Sequence, residues 1–286
     1  MTLAAPVSSP VASTGEGHFA GAATHHYGIA SGLRSEWIKL RTVRSTWWTL
    51  ISMVILTVGI AAIAGVAETG NWKTASLPER LTFDPTGVSL RGLLLSQLVI
   101  GVLGVLVISS EYGTGTIRST LAAIPNRPLV LVTKAAVFAA VAVVVGEVLS
   151  FAGFFVGQTL LTSPAPHATL LQPNVLRAVV GGGLTVAVLG LFALGLASIV
   201  RHTAGAITTY VGVLLVMPII IQALPSTISH AVGKYLPFNI SDVMTSTRHA
   251  FDQAPSLSPW TGFALLCGYA VTALAVGGWL MVRRDA

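Results

Sequence analysis

The chain has 286 residues, 53% of them hydrophobic and only 9% charged, with a formal net charge of +6 and a mean hydropathy of +0.79. A soluble domain carries roughly 25% charged residues, so this chain cannot clothe a globule in polar side chains, and its apolar surplus must face lipid. The basic excess lies at the ends of apolar runs, where it sets orientation and meets anionic lipid, and that placement argues against nucleic acid as a partner.

Residues 1–30 are rich in Ala, Ser, Thr, Gly and Pro and lack the apolar core of a signal peptide. They read as a disordered cytoplasmic tail. His18, His25 and His26 fall within it without the carboxylate or thiol neighbours of a metal site. Residues 31–45 read as an interfacial amphipathic helix: Leu33, Trp37, Leu40 and Arg44 recur at i, i+4, i+7 and i+11, with Arg34, Lys39 and Arg41 off that stripe.

Residues 46–286 form the membrane domain, with apolar runs at 47–67, 93–109, 129–161, 175–200, 206–224 and 260–282. Each is near the ~20 residues needed to cross the hydrocarbon, and the third is long enough to require tilt or extension. The fold class is therefore all-α integral membrane with six transmembrane helices. The dense basic cluster before span one and the Arg283-Arg284 pair favour an N-in, C-in orientation. Trp47, Trp48 and Trp260 suit interfacial anchoring. On the outer side the polar loop 68–89, the turn 162–173 and the long stretch 225–259 connect the spans; loops as long as the last are often structured. The single cysteine, Cys267, excludes an internal disulfide framework.

Between spans two and three the connection holds Glu111, then Gly115 and Thr116, then Ile117, Leu121 and Ile124 at helical spacing. Arg118 and Arg127 flank these, Pro125 and Pro128 stop the helix, and Lys134 follows at the next membrane run. A short, semi-apolar helix at the cytoplasmic face is either a docking surface for a partner or an ordinary connection, and spacing alone leaves both open.

This order of residues resembles the membrane permease subunit of ATP-binding-cassette exporters of the ABC-2 type. Glu111, Gly115-Thr116, the 117–124 helix, Pro125, Arg127 and Lys134 match that family's cytoplasmic loop in sequence order. The stretch 35–48 (SEWIKLRTVRSTWW) resembles the approach to span one in its actinobacterial branch, and 235–239 (YLPFN) resembles the segment before its last span. The resemblance implies a permease in a bacterial plasma membrane, paired with a second permease copy or homologue and with ATP-hydrolysing subunits. The 117–124 helix would then be a coupling helix seated on the ATPase, and the interfacial helix would touch the same partner. ATP and Mg would reside in that partner, with no cofactor in this chain.

No phosphate-binding loop of its own exists: Gly233-Lys234 lacks the upstream Gly and the following Ser or Thr. No catalytic or metal-ligating set stands out, and His202 and His230 fall on opposite sides in this topology. Intramembrane polar residues are costly and mark function or interhelix bonds. Glu147 lies about 20 Å beyond Lys134 at ~1.5 Å per residue, with Arg91 and Arg177 as candidate partners and Gln97, Gln158 and Gln222 as further polar sites. Gly153 and Gly157, and the run Gly181-Gly182-Gly183, read as close-packing surfaces, and Pro218 as a kink in span five. The alternatives to an exporter permease are a standalone secondary carrier and a lipid-modifying membrane enzyme.

Overall fold

The computed structural model describes residues 29–116, 127–248 and 256–283. Helix α1 (Ile29–Thr42) begins just inside the stretch read as tail, and the non-helical Val43 (φ −77°, ψ 122°) separates it from α2 (Arg44–Asn71). The chain continues through α3 (Leu77–Thr82), α4 (Pro85–Leu90), α5 (Leu93–Gly113), α6 (Arg127–Leu160) and α7 (Val175–Val200). Then follow α8 (Thr203–Val211), a π-helical turn (Gly212–Val216), α9 (Met217–Gln222), α10 (Ser226–Gly233), α11 (Pro237–Thr245) and α12 (Pro259–Arg283).

Six helical stretches are long and apolar enough to cross a bilayer: Arg44–Asn71, Pro85–Gly113, Pro128–Leu160, Val175–Val200, Thr203–Gln222 and Pro259–Arg283. The protein is therefore all-α and multi-pass, as its composition requires. We call the end holding α1, Arg201 and Arg283 proximal, and the end holding α3, α4, α10 and α11 distal.

Burial sorts the spans. Over their apolar windows spans two and four are 61% buried, span five only 22%, and spans one and six 28%. Span four (α7) is thus the core helix, packed against spans two, three and six. Ile100, Leu103, Phe138, Leu189, Leu194 and Tyr210 form the middle of its contact layer. The outer spans leave Ile55, Ile63 and Ile219 exposed, which in water would be a fault and in lipid costs nothing.

Without a hydrophobic drive between helices in lipid, close approach through small residues holds a bundle together. A Cβ on Gly104 would lie 2.4 Å from the Gly190 carbonyl oxygen, and one on Gly146 would lie 2.5 Å from that of Gly183. Gly153 faces Thr57 and Gly157 faces Ser89, so this GxxxG pair is occupied within the chain. The glycine run of span four is used residue by residue: Gly181 meets Met244, Gly182 meets Leu93, and Gly183 meets Glu147. Thr57 and Ser96 hydroxyls share a hydrogen bond across the contact of spans one and two.

Both longer connections are structured, the 225–259 stretch as its length suggested and the polar stretch 68–89 beyond what its composition suggested. The polar stretch 68–89 folds α3, closed by a Ser76–Glu79 capping box, and α4, buried at every residue but Gly87 and capped by Asp84. Within 225–259, α10 and α11 form, and α11 inserts Met244 against Gly181 of span four. Pro218 is accommodated by the π turn ahead of it, in which the Met217 amide bonds back to the Gly212 carbonyl; the missing proline N–H is absorbed there without breaking the span.

Gly104→Leu is expected to lower the apparent melting temperature and the yield of monodisperse protein in detergent, by an overpacking cost of about 1–3 kcal/mol or more. Gly59→Leu, where a Cβ meets nothing within 4 Å, leaves both unchanged. Size-exclusion profiles and thermal melts of the two variants check this.

Candidate functional site

Four charged side chains converge at the proximal end. Glu36 and Lys39 come from α1, Glu111 from the last turn of α5, and Lys134 from the early turns of α6. Lys134 Nζ lies 2.8 Å from Glu36 Oε2 and 2.6 Å from Glu111 Oε1. Lys39 Nζ lies 3.0 Å from Glu36 Oε1 and 2.8 Å from the same Glu111 oxygen. Two ammonium groups thus close a ring with two carboxylates, and the cluster is neutral.

Its burial decides its importance. The Lys134 side chain is 1% exposed, while Glu36 and Glu111 keep only 8% and 11%. A lysine so enclosed is tolerable only when paired, because removing one partner of a buried ion pair leaves an uncompensated charge. Lys39 is more open. Burial tends to lower its pKa, but hydrogen bonds to Glu111 and Glu36 outweigh this and hold its ammonium above the ordinary lysine value. A raised lysine pKa stabilises the fold below the ordinary value and loses its contribution only as pH rises through the higher folded one. Lys39 therefore keeps its charge, and its part in the cluster, throughout the neutral range.

Helix geometry explains how α1 serves this ring. The residues that α1 buries are Gly32 and Glu36, one turn apart on one face. The inward face of α1 is thus the one that carries the carboxylate. The apolar stripe is turned away, with Leu33 half-buried and Trp37 51% exposed, as an interfacial helix requires. Arg34 and Arg41 are also exposed. Arg44 does not finish α1 as the spacing suggested; it opens span one, because the extended Val43 interrupts the helix.

The end of α5 is shaped for departure into the connection. Gly115 takes φ +72°, a left-handed conformation suited to glycine. The Thr114 and Thr116 hydroxyls lie 2.9 Å apart. Ile117, Arg118, Leu121, Ile124 and Pro125 lie outside the described residues, and the chain re-enters them as α6 at Arg127. Arg201, itself left-handed at φ 58°, donates to the Leu280 carbonyl at 2.8 Å and stacks its guanidinium 5.4 Å from the Tyr112 ring centre. Thr203 reaches the Ser109 hydroxyl at 3.0 Å. Spans four, five and six are thereby tied to the same end of span two.

The intramembrane polar residues do not assemble as expected. Arg91 pairs with Glu68 at 2.8 Å, and Arg177 donates to the Met244 and Ser246 carbonyls at 3.0 and 2.7 Å. Glu147 therefore meets neither arginine; its carboxyl lies over Gly183, and its Oε1 is buried without a partner. Gln97 is 2% exposed, and its Oε1 is likewise buried and unpartnered. Gln158 bridges Pro85, Ser89 and Ala168.

Sequence reading missed two residues. Glu36, set among basic neighbours, reads as surface charge in the sequence; its i, i+3 spacing to Lys39 is the available signal. Asp84 reads in the sequence as an ordinary loop residue; its carboxylate accepts from the amides of Thr86, Gly87, Thr247 and Arg248 and from the Thr247 hydroxyl, joining two distal loops.

Compared with known families, residues 32–219 match the ABC-2 family transporter protein model, a stretch that holds all four cluster residues. No curated protein matches the chain.

Lys134→Met is expected to destabilise the protein by about 3–5 kcal/mol, the cost of stranding buried carboxylates, and to speed amide exchange across α1. Adding Glu36→Leu removes one of those carboxylates and leaves the Lys39–Glu111 pair, so the double variant recovers much of the loss. Thermal melts and hydrogen exchange of both proteins provide the measurement.

Proposed function

The chain belongs to the ABC-2 family of transporter proteins, and from that membership we propose that it is the permease subunit of an ATP-driven exporter, worked by a separate ATPase. The proximal ion cluster carries this reading. It fixes α1 to the residue that leads into the 112–126 connection, Glu111, and to the one that leads out of it, Lys134. A partner that moves that connection therefore moves α1, span two and span three together.

In this account the 117–124 segment is the coupling helix, bearing Arg118, Leu121 and Ile124 toward the ATPase, with α1 beside it. ATP and Mg²⁺ are held by the partner, since this sequence has no phosphate loop. The proximal end is cytoplasmic, in a bacterial plasma membrane: Arg34, Arg41, Arg44, Arg201 and Arg283 all gather there. The exposed apolar faces of the outer spans meet lipid and a second permease. The chain performs no hydrolysis itself.

A second reading has one observation in its favour. The unpaired Glu147 carboxyl inside span three is the kind of group a proton-coupled carrier uses, and such a carrier would work alone.

Two experiments separate these readings. Co-purification of an ATPase with this chain is expected, and Arg118→Glu or Leu121→Pro should abolish it; full binding by both variants would sink the coupling-helix assignment. In proteoliposomes, Glu147→Gln should leave ATP-driven export within about twofold of wild type, whereas an ATP-independent flux lost in that variant would establish the carrier.

A further inference from the structure

A cavity of about 780 Å³ opens at the distal end, bounded by the end of α2, by α3 and α4, by the start of α5 and by α11. Its volume falls in the range that encloses a drug-sized molecule. It runs inward along span two as far as Gln97, one turn below Leu93 and Leu94. Nothing in the proximal coupling machinery uses it: Gln97 and Glu111 are 14 positions apart on one helix, about 21 Å at ~1.5 Å per residue.

Three features of its wall specify chemistry. The first is aromatic: Trp72, Phe83 and Phe238 line it, with Trp72 and Phe83 in edge-to-face contact at 4.9 Å. The second is charge. Glu68, Glu79, Asp84 and Asp242 face it against only Arg91 and Arg248. Glu68 and Arg91 cancel at 2.8 Å, and Glu79 serves the Ser76 cap. Among the described residues Asp242 has no cationic partner. The third is the Gln97 side chain at the inner end, with its Oε1 buried and accepting no bond. Such an acceptor is costly to leave unmade.

A metal ion does not fit this wall. The oxygens of Asp84 are already taken by backbone amides and the Thr247 hydroxyl, and no three His, Cys, Asp or Glu side chains among the described residues converge as a ligand set. An anion would meet the excess of carboxylates. An amphipathic amine answers all three features. Its ammonium is drawn to Asp242, its apolar body lies along Trp72, Phe83 and Phe238, and an N–H reaches Gln97; the Trp72 face itself already carries the Arg80 guanidinium, 5.7 Å from the ring centre.

We propose that this distal cavity is a binding site for amphipathic organic amines, with Asp242 as the charge partner, the Trp72–Phe83–Phe238 wall as the apolar seat and Gln97 as the acceptor at its inner end. The site is independent of the coupling cluster.

The test uses the full chain in phosphatidylcholine nanodiscs, with dansylcadaverine as the cationic probe and dansylamide as its uncharged counterpart, read by fluorescence anisotropy. Saturable binding of dansylcadaverine is expected, at least about tenfold tighter than that of dansylamide. Asp242→Asn should weaken it about tenfold and Asp242→Lys should abolish it. Asp242 is an exposed residue whose side chain makes no ion pair among the described residues, and thermal melts check that these variants keep the fold. Gln97→Met should weaken the amine severalfold without moving dansylamide. Equal affinity for the two probes, or unchanged binding by Asp242→Lys, would show partition into the bilayer and overturn the proposal. The measurement needs neither nucleotide nor ATPase, so its failure leaves the permease reading standing.

Discussion

A single buried ammonium organises the proximal end of this protein. Lys134 is almost wholly enclosed, and it is paired with Glu36 from α1 and Glu111 from span two. A lipid-facing helix bundle has few ways to fix a helix that lies outside the bilayer. Apolar contact gives little preference between protein and lipid. A desolvated ion pair does, because no alternative partner is at hand and water is excluded. The Glu36–Lys39–Glu111–Lys134 ring therefore does what the apolar stripe of α1 cannot: it fixes the position of α1 on the bundle and leaves Trp37 free for the interface.

The rest of the bundle follows from a different constraint, the need for helices to meet without a hydrophobic drive. Span four supplies the common surface, and its glycines admit the Met244 side chain of α11, Leu93 of span two and Glu147 of span three. The outer spans carry their apolar residues outward. The two ends of the molecule are then free to differ. One end is stitched by charges and by Arg201; the other is assembled from short capped helices joined through Asp84 and encloses a polar-aromatic cavity.

Much of this was legible in the sequence. The spans were plain because a run of about 20 apolar residues has one meaning in a chain with so few charges. The capping box at Ser76 and the close packing at Gly181 through Gly183 are local patterns. Lys134 and Glu111 stood out as ends of a motif. Glu36 did not, because a lone acid amid basic neighbours looks like surface charge until the partner 98 residues away is seen. Arg91 and Arg177, candidate partners by depth, do not meet Glu147, because depth along a helix predicts height but not azimuth. Arg91 turns to Glu68, and Arg177 turns to the carbonyls ending α11. The distal cavity could not have been read at all, since its wall comes from α2, α3, α4, α5 and α11.

On the proposed function, α1 and the end of span two move as one body when a partner works on the connection between spans two and three. Spin labels at Arg41→Cys and Gly113→Cys, both exposed positions, in a Cys267→Ser background report the distance between the two elements directly. With the ATPase bound, the account predicts one narrow distance distribution that does not change between nucleotide-free and ATP-bound states, and that broadens when Lys134→Met is added. A shift of several ångströms on ATP binding with the cluster intact would contradict it.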